Sequence, residues 1–216
     1  MLDALFFLKI IVSLPFNLIK TSNMENKIDF PETVMLIDAM LLNTIVADFK
    51  KNFEEMLQRT LQDLDVAQFI VNLALDAGIS EKNKETQVIF VYDKTSPKLK
   101  HCIPSDLGSE LNGVAFQDSL GEFILASLSP EEITTREDLF FDLLQIVSES
   151  IDVKRVIVVP FEQNNQQTIH STLEDMKGKE VTLFGMKQPE KTINYNWQLL
   201  AYPVMQALGI KGEEIQ

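Results

Sequence analysis

Short, unbroken apolar runs separated by longer amphipathic stretches constrain this chain more than any other feature. "TVMLI" (33–37), "QVIFVYD" (87–93), "EFILASL" (122–128), "KRVIVVPF" (154–161) and "EVTLFGM" (180–186) are strand-length and apolar at successive positions. Runs of that kind suit strands covered on both faces, as in parallel sheets. Between the first two, "LNTIVADFKKNFEEMLQRTL" (42–61) sets Ile45, Phe49, Phe53, Met56 and Leu57 at helical spacing, with charges opposite. "VAQFIVNLALDA" (66–77) reads as a well-buried helix, with Asp63 or Asp65 as its cap and Gly78 just past its end.

The second half repeats the alternation. "SPEEITTREDLFFDLLQIVSESI" (129–151) opens on Ser129 and Pro130, carries acids early, and sets Leu139, Leu143, Ile146 and Val147 on one helical face. "QQTIHSTLEDMKG" (166–178) predicts a helix ended by Gly178, and "NWQLLAYPVMQALGI" (196–210) an apolar C-terminal helix broken near Pro203. Strands alternating with helices in this way predict a three-layer α/β/α architecture around a mostly parallel sheet. The 94–121 stretch, punctuated by Pro97, Pro104, Gly108, Gly113 and Gly121, reads as an irregular insertion with a short strand at "GVAF". An insertion of that length in a compact domain is usually functional or a contact surface.

Sheets of this class bind ligands off the carboxyl ends of their strands. Asp38, Asp93 and Glu162 stand at or just beyond such ends, and Asp138 and Asp142 lie four apart in a helix. Convergent carboxylates are what Mg²⁺ or Mn²⁺ requires, since hard cations take oxygen ligands, and such a site activates water for phosphodiester cleavage. The metal set expected is Asp38, Asp138, Glu162 and Asp93. The competing reading is structural: acids after strands are ordinary turn and cap residues, and Asp138 suits the positive end of its helix.

Other chemistry has less support. His101 and Cys102 are neighbours that point opposite ways in an extended segment, which argues against a Cys/His catalytic pair. His170 lies in a polar helix and reads as a surface residue, and neither GxGxxG nor GxxxxGK[ST] occurs. Cys102 is the lone cysteine, so no intrachain disulfide can form, a Cys-based zinc site loses its basis, and a reducing, cytoplasmic setting is the simplest one. The net charge of −13, from 19 Lys+Arg against 32 Asp+Glu, argues against gripping a phosphate backbone, although "KTSPKLKH" (94–101) is a local basic patch.

The first 23 residues stand apart from the rest. Lys9 and Pro15 interrupt their apolar run, and neither a basic leading region nor a small-x-small cleavage site is present. They read as an irregular appendage or a mis-assigned start, with Met24 as the expected first residue of a single α/β domain over 24–216; a signal or membrane anchor is the alternative.

The segments "PETVMLIDA", "LALDAGI", "VYDKTSPKLKHCIPSDLGSELNGVAF" and "YPVMQALGIKG" resemble an uncharacterised bacterial protein family from about residue 31 to the C-terminus. That resemblance implies no activity. "MLIDAMLLN", "REDLFFDLL" and "VVPFEQN" bear a more distant resemblance to the NYN branch of PIN-like nuclease domains, which implies a PIN/NYN-like or related Rossmann-like topology. By that resemblance Asp38 would be the first metal ligand, Asp138 the second, and Glu162 would stand at the first acid of the turn after the fourth strand. Pro160 and Phe161 replace the small residues of that turn, Asn164 stands where a second acid belongs, and Asn43 comes later than usual.

Two functional readings result. The leading one is a cytoplasmic, non-catalytic or degenerate PIN/NYN-like domain acting in binding or regulation. Its contacts would be a protein partner or a second copy of the chain, through the 94–121 insertion and the C-terminal "LAYPVMQALGIKGEEIQ", with no membrane role if the chain starts at Met24. The other is a Mg/Mn-dependent nuclease or phosphoesterase using the strand-end carboxylates.

Overall fold

The computed structural model describes residues 29–80, 84–131, 133–161 and 166–215; the appendage expected over 1–23 lies outside them. Seven strands form one sheet in the order β5-β6-β3-β1-β7-β8-β9. These are β1 (Thr33–Asp38), β3 (Lys84–Val91), β5 (Ala115–Asp118), β6 (Gly121–Leu128), β7 (Arg155–Val159), β8 (Glu180–Gly185) and β9 (Asn196–Leu199). All neighbours pair in parallel except β5, which returns antiparallel along β6. Gly121 makes that return: a Cβ there would lie 2.2 Å from the Lys84 carbonyl oxygen, and its φ of +130° suits glycine.

Taken in chain order, the six parallel strands lie 3-2-1-4-5-6, the doubly wound order, with the switch point between β1 and β7. Side chains alternate across each strand, so each face acquires its own core. On one face Met35, Ile37, Val88 and Phe90 pack under α1 (Ala39–Leu57), α2 (Val66–Asp76) and α5 (Ala201–Ala207). On the other Val34, Leu36, Ile89 and Val91 pack under α3 (Arg136–Glu149) and α4 (Gln166–Asp175). Each large side chain so buried contributes about 1.5–3 kcal/mol. The three-layer, mostly parallel arrangement expected from the sequence is therefore present.

Three expectations change in detail. "NWQL" is the edge strand β9, and the C-terminal helix begins only at Ala201; Pro203 sits within its first turn, where a missing N–H interrupts nothing. Helix α3 starts at Arg136, seven residues after Ser129, because Thr135 and Asp138 form a capping box there. The 94–121 insertion is partly regular, containing β4 (Cys102–Ile103), a five-residue π-helical turn (Leu107–Leu111) and β5. Its β4 pairs in parallel with β2 (Leu64–Asp65), and Leu99, Cys102, Leu107 and Leu111 enter the core, so the insertion takes the place of a covering helix after β3.

Candidate functional site: an arginine among strand-end carboxylates

Asp38 closes β1 and caps α1, its carboxylate accepting a hydrogen bond from the Leu41 amide at 2.7 Å. The side chain is fully buried. Its other oxygen accepts a hydrogen bond from Nη1 of Arg136, the first residue of α3. Arg136 is 6% exposed. Its Nη2 donates to Glu137 Oε1 at 2.5 Å, and its Nε lies 3.3 Å from Asp93 Oδ2. That last contact is ionic without hydrogen-bond geometry, since Nε has no hydrogen-bond partner among the described residues. Among the described residues three carboxylates thus surround one guanidinium at the carboxyl ends of β1 and β3.

Phe161 closes the cluster from the β7 side. The Arg136 guanidinium carbon stands 5.8 Å from its ring centroid, a cation–π distance. Phe140 and Phe141 meet the same ring edge-on, at 5.6 and 5.5 Å. The bulky residue after β7 thus fills the space beside the guanidinium. A cation in the first turn of a helix opposes the helix dipole. Arg136 is held there by the acids around it, a local rule broken where the fold keeps its sites.

The electrostatics follow from burial. Removal from water pushes the Asp38 carboxyl up to about 6, with Arg136 and the Leu41 amide pulling the other way and Glu137 adding to the rise. Asp142, next to Asp138 on α3, is also raised by burial and then by Asp138.

The structure brings two of the four expected metal-binding acids together, Asp38 and Asp93, and does so around Arg136. Asp138 is exposed and tied to Thr135: its carboxylate accepts from the Thr135 hydroxyl at 2.7 Å while its own amide donates back at 3.1 Å. Glu162 lies outside the described residues. Among the described residues no group of three or more His, Cys, Asp and Glu is arranged to hold a metal ion. The Arg136 guanidinium stands between Asp38 and Asp93.

Sequence reasoning missed Arg136, although a signal was present. Positions 136, 139, 140, 143, 144 and 147 form one stripe, and the rest of it is Leu, Phe and Val. An arginine continuing a buried stripe requires a buried acid, and Asp38 is that acid.

The other polar residues have structural employment. The Asn43 carboxamide donates to the Lys98 carbonyl at 3.0 Å and accepts from the Lys100 amide at 2.6 Å, clamping the insertion to α1. Cys102 is buried and its thiol is pushed up to about 12, chiefly by burial, so it is a poor nucleophile, while His101 is exposed. His170 is half-buried rather than a free surface residue, and its Nδ1 shares a hydrogen bond with the Tyr195 hydroxyl.

Fold and site together define a doubly wound α/β domain with a guanidinium-centred acid cluster near its switch point. The chain belongs to a family of unknown function, DUF6621, whose model matches residues 27–215. No curated protein and no solved structure matches it. Among the described residues no helix is long and apolar enough to cross a membrane.

Proposed function

We propose that this is a non-catalytic binding or regulatory domain of PIN/NYN-like or related Rossmann-like topology, acting in the cytoplasm, in which Arg136 takes the place of a divalent cation. The observation that carries this reading is the contact of one buried guanidinium with both Asp38 and Asp93. A cation supplied by the chain permanently offsets part of the charge of the strand-end acids, but it has no open coordination position and cannot activate water as a metal does. The doubly wound strand order and the single basic group among three acids both favour it. The chain's net charge of −13 weighs against a nucleic-acid substrate.

Calorimetric titration with MnCl₂, alongside a cleavage assay on single-stranded RNA, tests this reading. No binding heat and no cleavage are expected from the wild type. Mn²⁺ binding that Asp38→Asn abolishes would overturn it in favour of a metal-dependent nuclease or phosphoesterase.

A further inference from the structure

Off the carboxyl ends of β7 and β8 lies a cavity of about 510 Å³, bounded by α4, the 186–193 segment and Trp197. That volume falls within the range of small-molecule sites, roughly 300–1,000 Å³. The cavity adjoins the acid cluster, because Phe161 lines it and also meets Arg136. Ile169, Leu183 and Trp197 extend the apolar wall. Gly185 admits the indole: a Cβ there would lie 3.2 Å from Trp197 Nε1.

Polar groups suited to directional hydrogen bonding face the same space. Gln167 and Gln188 bring amides, and Ser171 a hydroxyl that already donates to the Thr168 carbonyl at 2.9 Å and is left as an acceptor. The His170 ring is oriented in advance, hydrogen-bonded to Tyr195 and stacked on it at 6.1 Å with 20° between planes. Among the described residues the charged side chains lining the cavity balance, Lys187 and Lys191 against Glu174 and Glu190. A charged ligand gains little from a balanced rim, and an anion is further disfavoured by a chain of net charge −13. Aromatic walls with amide and imidazole donors and acceptors suit a flat ring that bears hydrogen-bonding edges.

We infer that this cavity binds an uncharged planar heterocycle of about nucleoside size. The inference rests on reading the domain as a binding module. It fails separately from that reading, because Mn²⁺ binding reports on Asp38 while ligand binding reports on residues of the β7–β8 side.

Trp197 is the only tryptophan, so its emission reports occupancy directly. The full chain is titrated with adenosine and with uridine, using adenosine monophosphate as the anionic comparison. At least one nucleoside should give a saturable change with Kd below about 1 mM. Ser171→Phe, which fills the cavity from an exposed helix position, should abolish the change, and Gln188→Ala should weaken it several-fold; circular dichroism establishes that both variants fold. The proposal is overturned by the absence of saturable binding of either nucleoside, by unchanged binding in Ser171→Phe, or by the monophosphate binding about tenfold tighter than adenosine.

Discussion

The guanidinium of Arg136, at the start of α3, closes on the carboxylate of Asp38, at the end of β1, across 98 residues of chain. The pair joins the two faces of the sheet near its switch point, because α1 and α3 begin on opposite sides of it.

Arg136→Met leaves Asp38 as an unpaired buried carboxylate, and breaking a buried pair in this way costs about 3–5 kcal/mol. Arg136→Lys should recover only part of the loss, since an ammonium is a point charge and cannot reach Asp38, Asp93 and Glu137 together. Combining Arg136→Met with Asp38→Asn should be less damaging than Arg136→Met alone. Urea unfolding at neutral pH measures all three; equal stability of Arg136→Met and wild type would contradict the buried pairing.

The Asp38 carboxyl holds its proton to a higher pH in the folded chain, about 6, than its ordinary value of 3.8. Its contribution is therefore fully present below about pH 4 and is lost as pH rises through about 6, an effect of roughly 2–3 kcal/mol. Asp38→Asn should remove this component from the curve of stability against pH. Urea midpoints for the two proteins, compared across the acid range, check both the sign and the window.

Asp138→Ala opens the capping box of α3 and should cost about 1 kcal/mol. Thr135→Ala should cost about the same, and the double variant less than the sum, because the two side chains bond each other. Thermal unfolding of the three variants tests the coupling. Strict additivity would count against a shared cap.

Asn43→Ala removes two hydrogen bonds to the insertion, one donated to the Lys98 carbonyl and one accepted from the Lys100 amide, both backbone groups that water can reach. The global loss should be modest, about 1 kcal/mol. The local effect should be larger: the Lys100 amide should exchange its hydrogen much faster, while amides of β1 and β7 stay as in wild type. Hydrogen exchange read by NMR separates the two.

The central strands were legible because they are buried on both sides and carry few polar positions; β1 is buried from Thr33 to Asp38. β9 was hidden for the opposite reason. Asn196 and Gln198 are exposed while Trp197 and Leu199 are half-buried, a period-two pattern only four residues long that runs directly into an apolar helix. Ser129-Pro130 imitated a helix start that Thr135 supplies six residues later. The site was half legible: the carboxyl ends of the strands identified Asp38 and Asp93, but their companion is a base on another element, and no local spacing connects residues 98 apart.

The Asn43 clamp bears on how the insertion can vary. The Asn43 carboxamide uses one N–H and its carbonyl oxygen here, the same pair that a peptide unit presents to a neighbouring strand, so α1 carries a single rung of an imitation ladder on its flank. The insertion is thereby rooted at Lys98 and Lys100. Beyond that root, freedom to vary belongs to the exposed positions such as Ile103 and Val114, because Cys102, Leu107 and Leu111 are tied into the core and the 115–118 strand into the sheet.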